Sequence, residues 1–391
     1  MKDTIVISEV CHIGEVHFQV NSCFIEMIAK SNPSSKIIFT AEENHIDAVK
    51  LSLQLEDIQN LTYLPYKGFY SEKKFKWSSR IIGECKQILK IFKLGLLHNN
   101  NFFIWTCLFP TGHLFLNILL LLKKNTKHII ILHGELELLK MKGKRKSEIF
   151  LGIILKTAFF LSTKKNKYIV LGDNIRKSLI GLVSNSTIDK TYAILHPYNF
   201  FVNKENLTKK EDNTVLTIGA IGTQMLSKNS HSIYELGEYF KDQIIKNRIN
   251  LLTIGKVLPE LKKYQNNIIR NLYSDSFVSQ QNFELEISKL DFIIFFYDNG
   301  SYKLCASGAI FEAIRLEVPI ISVKNDFFVW IFESYGELGF LCDDLDEIKA
   351  VISELNNEGY KEKIEIFKTN MKQFKIDNNL NKISLKLETI L

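Results

Sequence analysis

Short apolar runs alternate with helix-length segments along the whole chain, and this alternation limits the fold more than any other sequence feature. A strand that is covered by helices on both faces reads as a continuous apolar run. The alternation therefore predicts βαβ units that build a parallel sheet with helices on both faces. The strand candidates of the first half are Thr4–Ser8, Lys36–Thr40, Leu61–Leu64, Phe102–Cys107, His128–Leu132, Tyr168–Leu171 and Tyr192–Leu195.

A polar, charged segment from Asn199 to Asn213 interrupts the alternation and predicts a linker over residues 201–213. The alternation resumes after this segment, and an amphipathic helical tail ends the chain. The later strands are predicted at Thr214–Ile218, Leu251–Ile254, Phe292–Phe296 and Pro319–Val323, and the later helices near Ser230–Phe240, Glu284–Leu290 and Gly308–Leu316.

The 391 residues are enough for two domains of ordinary size. We therefore expect an α/β protein with two tandem Rossmann-like doubly wound domains, over residues 1–200 and 214–375, and a deep cleft between them. A C-terminal helix over residues 376–391 could pack back on the N-terminal domain. Ligands of doubly wound sheets bind outside the carboxyl ends of the strands, so functional residues are expected in the loops that follow strands.

Composition and charge exclude several functional classes. Hydrophobic residues make up 46% of the chain and charged residues 24%, which argues against disorder. The net charge of +7 suits an anionic ligand or membrane surface, but nucleic acid is not expected, because the sequence has no zinc-finger spacing, RNP-type motif or Arg-rich stripe. The apolar segments Leu114–Leu122 and Ile149–Leu161 are too short to span a bilayer. Without a signal-peptide pattern or C-x-x-C pair, the protein is expected to be cytoplasmic.

The segment SGAIFEAIRLEVPIIS, which begins at Ser307, is the clearest candidate site. The first amides of a helix have no partner within it, and the helix dipole adds partial positive charge there. Ser307 and Gly308 would let an anion approach these amides, and Glu312 lies on the same face one turn later. A diphosphate at the N-terminus would place an attached ribose near this carboxylate, which could accept hydrogen bonds from both hydroxyls. The alternative is an N-capped amphipathic helix with Glu312 pointing to solvent.

This segment resembles the nucleotide-binding region of GT-B glycosyltransferases, most closely their bacterial family 4-like branch. The matching positions are Ser307, Gly308, Glu312, Ala313, Pro319, Ile320 and Ile321. Thr217–Ser230 is similar to the family's first C-domain strand and lysine-bearing loop, Leu251–Val257 to its second strand, and Asn282–Phe296 to the helix and strand before the site. The resemblance covers most of Thr214–Asp343, whereas in the first half only the architecture and the HGE loop at His133 match.

The resemblance implies a nucleotide-diphospho-sugar donor bound by the C-terminal domain, with no cofactor and no metal. The implied donor-binding residues are Gly222, Thr223, Lys228, Lys256, Tyr302, Lys303, Ser307, Gly308, Ala309 and Glu312. Lys228 and Lys256 could instead be ordinary surface lysines. Leu304 stands where retaining members often carry a glutamate, and Ala220 and Thr223 stand where an arginine is often found. The stereochemical outcome of the transfer therefore stays open.

In the first half, His133 follows a strand and precedes a glycine, which places it where ligands bind in such sheets. In similar enzymes a histidine at this point contacts the transferred sugar, and Glu135 is a second catalytic candidate. The alternative is a histidine that is hydrogen-bonded to the loop backbone.

The loop after the first strand, Ser8–Gln19, is expected near the acceptor and the phosphate. Gly14 would permit close approach, and Glu15 or His17 could act as a base. His12 and His17 are not expected to form a metal pair, because nothing in the sequence supplies a third ligand at suitable spacing.

Two basic stretches that contain apolar residues, Ser71–Gly95 and Leu138–Lys156, suit an anionic membrane surface. A solvated basic face over an ordinary core is the alternative. We therefore expect a peripheral membrane glycosyltransferase of surface polysaccharide synthesis (O-antigen, capsule or lipooligosaccharide), whose acceptor is a saccharide or lipid-linked saccharide. Three alternatives stay open: a GT-B nucleotide-sugar 2-epimerase, a polyol-phosphate transferase of the same fold, and a non-catalytic GT-B assembly partner at the membrane.

Overall fold

The computed structural model describes residues 4–53, 58–68, 77–96, 101–122, 126–140, 145–202, 215–276, 278–357 and 361–391. The chain forms two compact units. The first unit comprises Met1–Asn199, Leu304–Ala306 and Asn378–Leu391, and the second comprises Phe200–Lys303 and Ser307–Asp377. Most of the predicted linker over 201–213 lies outside the described residues. Among the described helices, none has both the length and the apolar character that are needed to cross a bilayer.

The first unit is built on a parallel sheet of seven strands in the order β3-β2-β1-β4-β5-β6-β7. The strands are β1 (Thr4–Glu9), β2 (Lys36–Glu42), β3 (Leu61–Tyr66), β4 (Asn101–Cys107), β5 (Lys127–Leu132), β6 (Asn166–Val170) and β7 (Thr191–Ala193). The strand order reverses between β1 and β4, which are hydrogen-bonded neighbours. A reversal of this kind opens a crevice outside the carboxyl ends of the two strands, where ligands bind in doubly wound folds.

Helices connect these strands as the apolar periodicity predicts. They are α1 (Phe18–Ser31), α2 (Glu43–Ser52), α3 (Trp77–Leu96), α4 (Pro110–Leu122), α5 (Lys146–Phe160), α6 (Asp173–Ser178) and α7 (Asn185–Ile188). The C-terminal segment Asn378–Leu391 also belongs to this unit. There, Ser31 Oγ donates to Glu388 Oε1 at 2.6 Å, Lys30 Nζ donates to Asn381 Oδ1 at 3.2 Å, and the Lys167 ammonium donates to the Ile390 carbonyl.

The second unit repeats the doubly wound arrangement with six parallel strands in the order β10-β9-β8-β11-β12-β13. The strands are β8 (Leu216–Ile221), β9 (Ile249–Ile254), β10 (Arg270–Leu272), β11 (Phe292–Phe295), β12 (Ile320–Val323) and β13 (Gly339–Cys342). Its helices are α8 (Ser232–Tyr239), α9 (Lys241–Ile245), α10 (Gln280–Ile287), α11 (Gly308–Leu316), α12 (Asp326–Tyr335), α13 (Leu345–Asn357) and α14 (Lys361–Asp377), and α15 (Leu380–Glu388) follows in the first unit. The order reverses between β8 and β11.

The prediction of two doubly wound α/β domains is confirmed, and α11 begins and ends at the predicted residues. The predicted helix near Glu284 begins earlier, at Gln280, because the Ser279 side chain accepts a hydrogen bond from the amide of Asn282 and caps the helix. Strand β10 was not predicted, since its three residues, Arg-Asn-Leu, have no apolar run.

Candidate functional site

The N-terminus of helix α11 in the second unit carries the residues predicted to bind an anion, Ser307 and Gly308. Ser307 is the N-cap residue, and its side chain makes no capping hydrogen bond. Gly308 is exposed, and a Cβ built on it would meet no described atom within 4 Å. Ala309 is partly buried beside it. The first amides of α11 are therefore not covered by the cap residue, and a phosphate oxygen could approach them.

Glu312 lies one turn into α11 and is only 5% exposed, so the alternative in which it points to solvent is wrong. Its Oε2 atom accepts hydrogen bonds from Nε and Nη2 of Arg315, at 3.1 and 2.7 Å. Its Oε1 atom accepts from Gln280 Nε2 at 3.3 Å, and Arg315 also pairs with Glu284 at 2.8 Å. The carboxylate is thus fixed within a buried ion-pair network. Its proposed contact with a ribose stays a prediction.

The loops after β8 and β9 bring two groups of predicted donor residues together. The backbone of Gln224 donates to the carbonyl of Lys256 at 2.8 Å, next to Gly222 and Thr223. A Cβ on Gly255 would lie 2.5 Å from the carbonyl oxygen of Gly222, so this close approach of the two loops requires glycine. Both loops follow strands at their carboxyl ends, where the doubly wound fold binds ligands.

Lys228 and Tyr302 both lie close to the ring of Tyr297, which follows β11. The Lys228 ammonium is 5.5 Å from the centre of the Tyr297 ring, and Tyr302 stacks on the same ring at 4.5 Å. Asn229 links the loops further, because its Nδ2 donates to the carbonyl of Phe296 at 3.1 Å. Lys303 lies 3.4 Å from Asp326 in a part-exposed ion pair.

In the first unit, three imidazoles from the loops after β1 and β5 pack against one another with their rings tilted. The ring centres of His12 and His17 are 4.1 Å apart, and those of His17 and His133 are 4.6 Å apart. His17 has a φ of 65°, which is uncommon for a residue with a side chain. The histidine predicted after β5 is therefore brought together with the loop after β1.

Glu9, at the end of β1, lies buried next to His12. Its Oε1 atom accepts from the amides of Cys11 and His12, at 2.7 and 3.0 Å, and lies 3.5 Å from His12 Nδ1. Burial raises the pKa of Glu9, but the charges of His12 and His45 and the hydrogen bonds that Glu9 accepts outweigh burial together and lower the pKa to about 2. Burial lowers the pKa of His12, but the charges of Cys11 and Glu9 outweigh it and raise the pKa to about 9.

His133 is hydrogen-bonded to the backbone, which was the alternative considered for it, since its Nε2 lies 2.7 Å from the carbonyl oxygen of Thr106. Nε2 must carry the proton in this bond, so Nδ1 is the acceptor nitrogen of the neutral ring. Burial lowers the pKa of His133 to about 4. Burial also raises the pKa of Glu135 to about 8, although its carboxyl group accepts from the His133 amide. At neutral pH this pair supplies a neutral imidazole and a carboxylic acid that can donate a proton.

Gly14 and Glu15 occupy different surroundings. Gly14 has a φ of 57°, its amide donates to Glu42 Oε2 at 3.1 Å, and its carbonyl lies 2.7 Å from His45 Nδ1. The left-handed conformation explains the glycine. Glu15 is exposed.

Sequence reasoning missed the buried residues around these loops. Sequence spacing indicated no third donor beside His12 and His17, but the structure places Glu9 with them, and their donor atoms lie within 4.8 Å of one another. The other missed residues of the first unit are Cys11, Arg80 and Cys107, and those of the second unit are Gln280, Glu284 and Arg315. Only Arg315 had a signal in the sequence, because a cation three residues after Glu312 lies on the same helix face.

Comparison with solved structures identifies this architecture. The Anabaena protein HepE in complex with UDP-glucose matches with a TM-score of 0.67 and 12% identity, over 99% of this chain and 98% of that chain. A UDP-forming α,α-trehalose-phosphate synthase from Burkholderia xenovorans matches with a TM-score of 0.63 and 10% identity, over 100% and 98%. A glycosyltransferase from Rickettsia africae ESF-5 matches with a TM-score of 0.56 and 15% identity, over 100% and 98%.

No protein-family model matches the chain, and no curated protein matches it in sequence. The solved structures nevertheless match over essentially the full length of both compared chains, and both sheets of this protein have the doubly wound order. The predicted resemblance in fold is confirmed: the chain has the fold of the GT-B glycosyltransferases.

Proposed function

We propose that the protein is a glycosyltransferase that moves a sugar from a nucleotide-diphospho-sugar to a saccharide or lipid-linked saccharide, in bacterial surface polysaccharide synthesis. The observation that carries the proposal is the N-terminus of α11. There the side chain of the N-cap residue Ser307 makes no capping hydrogen bond, Gly308 is exposed, and the buried Glu312 follows one turn later. The full-length likeness to HepE, which was solved with UDP-glucose, supports the same class of donor.

In the proposed mechanism, the amides at the start of α11 and the ammonium of Lys228 stabilise the negative charge that develops on the leaving diphosphate. Because the protein supplies this positive charge, the leaving group needs no divalent metal. Glu312 accepts hydrogen bonds from the ribose hydroxyls. The first unit binds the acceptor, where His133 is neutral and Glu135 can donate or return a proton near neutral pH.

Peripheral binding to an anionic membrane is part of the proposal. Helix α5 carries exposed apolar side chains at Phe150, Ile153 and Phe160, which is 85% exposed. Their spacing of three and seven residues places them on one face, and the exposed Lys146 and Lys156 lie on the same helix. Apolar side chains beside cations suit the interface of an anionic bilayer. Lys142 and Lys144 of the predicted basic stretch lie outside the described residues.

The donor site is tested by measuring thermal stability with UDP, GDP, CDP, ADP and dTDP in the presence of a metal chelator. A nucleotide at 100 times its Kd should stabilise the native state by about 2.7 kcal/mol, and only the matching nucleotide should do so. Gly308→Val should weaken this binding roughly tenfold or more without lowering the melting temperature of the free protein, since no described atom lies within 4 Å of a Cβ at this exposed position.

The second candidate function is that of a non-catalytic GT-B partner protein. It is favoured by the apolar Leu304 and Ala220, which stand where catalytic relatives often carry charged residues. The same nucleotide panel distinguishes this function from glycosyl transfer. A folded protein that responds to none of the five nucleotides would contradict the donor site and favour that partner role. Conversion of a nucleotide-sugar without any acceptor would instead indicate the 2-epimerase.

Membrane binding is tested by co-sedimentation with vesicles of anionic and of zwitterionic phospholipids. Phe150→Ser with Phe160→Ser should reduce binding to both kinds, and Lys146→Glu with Lys156→Glu should reduce binding to the anionic vesicles only. Leu51→Ser is the matched control, because Leu51 is an equally exposed apolar residue on another helix of the same unit, α2. Equal binding by all four proteins would contradict the proposed surface.

A further inference from the structure

We propose that Cys11, His12 and Cys107 of the first unit form a zinc site. The three donor atoms, two sulfurs and one imidazole nitrogen, lie within 4.8 Å of one another in the described part of the chain. Two thiolates and an imidazole are the donors that Zn²⁺ takes in proteins, whereas carboxylate and carbonyl oxygens suit Mg²⁺ and Ca²⁺. This site is separate from the donor site and does not depend on the proposed function.

The fold explains why two cysteines that are far apart in the sequence meet here. Strands β1 and β4 are parallel neighbours, and Cys107 at the end of β4 is in register with Glu9 at the end of β1. Cys11 and His12 follow Glu9 directly, so all three donors project from the carboxyl ends of adjacent strands. Cys11 and Cys107 are each only 4% exposed, whereas His12 is partly exposed. A metal would therefore be shielded on the sulfur side and reached from the histidine side.

The separations suit a tetrahedral ion. With Zn–S bonds of about 2.3 Å and Zn–N bonds of about 2.0 Å, tetrahedral geometry puts neighbouring donor atoms roughly 3.5–3.8 Å apart. The donors are already within 4.8 Å of one another, so each separation needs to contract by no more than about 1.3 Å to complete the three-ligand set. Three protein ligands leave one position for a water molecule or a substrate oxygen, as zinc sites with a reactive fourth position have.

Hydrogen bonds to the carboxylate of Glu9 hold the loop in place before any metal binds. Glu9 Oε1 accepts from the amides of Cys11 and His12 and faces His12 Nδ1 at 3.5 Å, which is the carboxylate–histidine arrangement found behind many metal ligands. Glu9 Oε2 is itself held by Asn21 Nδ2 at 3.3 Å and by Thr106 Oγ1 at 3.2 Å. This fixed carboxylate reduces the ordering that metal binding would require.

The charges around the cluster also fit a divalent ion. Zn²⁺ with the two thiolates is neutral, and the Arg80 guanidinium, whose Nη2 donates to Cys11 Sγ at 2.9 Å, balances the buried carboxylate of Glu9. The holo cluster would therefore bury no net charge, which avoids the large cost of an uncompensated ion.

The test is reconstitution of the chelator-treated, reduced full-length protein with one equivalent of Zn²⁺ or Co²⁺. We expect one zinc per chain by elemental analysis, and a Co²⁺ spectrum with thiolate-to-metal charge transfer and tetrahedral d–d bands. Cys11→Ser or Cys107→Ser should each lose about half of the charge-transfer intensity. Glu9→Gln should weaken zinc binding roughly 10–100-fold. Cys85→Ser is the control, because Cys85 lies outside the three-ligand set in the same unit, and it should bind as the wild type does.

If the cysteine variants fail to fold, X-ray absorption at the zinc edge of the wild-type protein still counts the ligands and should find two sulfurs. Three results would overturn the proposal: substoichiometric zinc in the wild type, equal binding by the Cys107→Ser and Cys85→Ser variants, or a Cys11–Cys107 disulfide in freshly purified protein. The last would show that the two thiols are a redox pair instead of metal ligands.

Discussion

Arg315 is the residue whose replacement tests the buried network of the second unit most directly. The side chain is 5% exposed, makes two hydrogen bonds to Glu312, pairs with Glu284 at 2.8 Å and donates to the carbonyl of Phe201 at 3.2 Å. Arg315→Gln would leave two largely buried carboxylates without their cation. Removal of one partner from a buried ion pair typically costs about 3–5 kcal/mol, because the remaining charge stays desolvated.

Amide hydrogen exchange, followed by mass spectrometry of peptides, measures this loss separately in each unit. Amides of α11 that exchange through opening of the second unit should exchange roughly 200 to 5,000 times faster in Arg315→Gln, while β1 amides of the first unit should be unchanged. Lys289→Gln is the matched control: Lys289 also pairs with a glutamate three residues away, Glu286 at 2.9 Å, but its side chain is exposed. Loss of that exposed pair should cost no more than about 1 kcal/mol.

A double-mutant cycle completes the test. Glu312→Gln in the Arg315→Gln background removes one of the two carboxylates that have lost their cation. It should restore part of the lost protection against amide exchange, with a coupling energy of about 0.5–3 kcal/mol. If Arg315→Gln affects exchange no more than Lys289→Gln does, the network is solvated and the physical argument for a buried, fixed Glu312 is wrong.

Two further predictions concern the pH dependence of stability and the space for a side chain at two glycines. His128 Nδ1 accepts from Trp105 Nε1 at 3.0 Å and its Nε2 is 2.8 Å from Thr126 Oγ1, and burial lowers the pKa of His128 from 6.5 to about 3. The unfolded chain takes up this proton below pH 6.5 and the folded chain does not, so about 2 kcal/mol of stability should be lost between pH 7 and pH 5. Chemical denaturation of His128→Gln should show a drop smaller by that amount, and an unchanged drop would contradict the argument. Gly339→Ala should lower the melting temperature, because the new Cβ would lie 1.9 Å from a carbonyl oxygen of β12 and the residue has a φ of 150°. Gly308→Ala is the control and should not lower it, since no described atom lies within 4 Å of a Cβ there. Equal melting temperatures of the two variants would refute this argument.

The sequence was sufficient for the fold because apolar periodicity is a local signal. Each buried strand is a continuous apolar run, and each helix has its own period, so α11 could be placed from Gly308 to Leu316 without tertiary information. Strand β10 could not be found in this way, since its pairing with β9 is set by the neighbouring strand and not by its own three residues.

The candidate sites also differ in whether local sequence or tertiary structure brings their residues together. Gly308 and Glu312 belong to one helix, so their relation follows from helical geometry alone. The meeting of Cys11 with Cys107 requires the strand order, which apolar periodicity does not give, although a 3-2-1-4 order would have predicted that the ends of β1 and β4 adjoin. The burial of Glu312 could not be predicted from the sequence because Gln280, which donates to it, and Glu284, which pairs with Arg315, come from another helix.

The pairing of Glu312 with Arg315 also bears on how one helix can hold both an anion site and a carboxylate. Four residues of helix separate Gly308 from Glu312 by about 6 Å along the axis. An uncompensated carboxylate at that distance would oppose each unit of negative charge on a bound phosphate by roughly 3 kcal/mol at an effective dielectric constant of 20. Arg315 donates two hydrogen bonds to this carboxylate and therefore reduces that repulsion, although Glu284 pairs with the same guanidinium. The carboxylate can then accept hydrogen bonds while the N-terminus of α11 keeps its positive potential. We therefore expect Glu312 and Arg315 to act together, so that a change at either residue alters both the stability of the second unit and its affinity for anions.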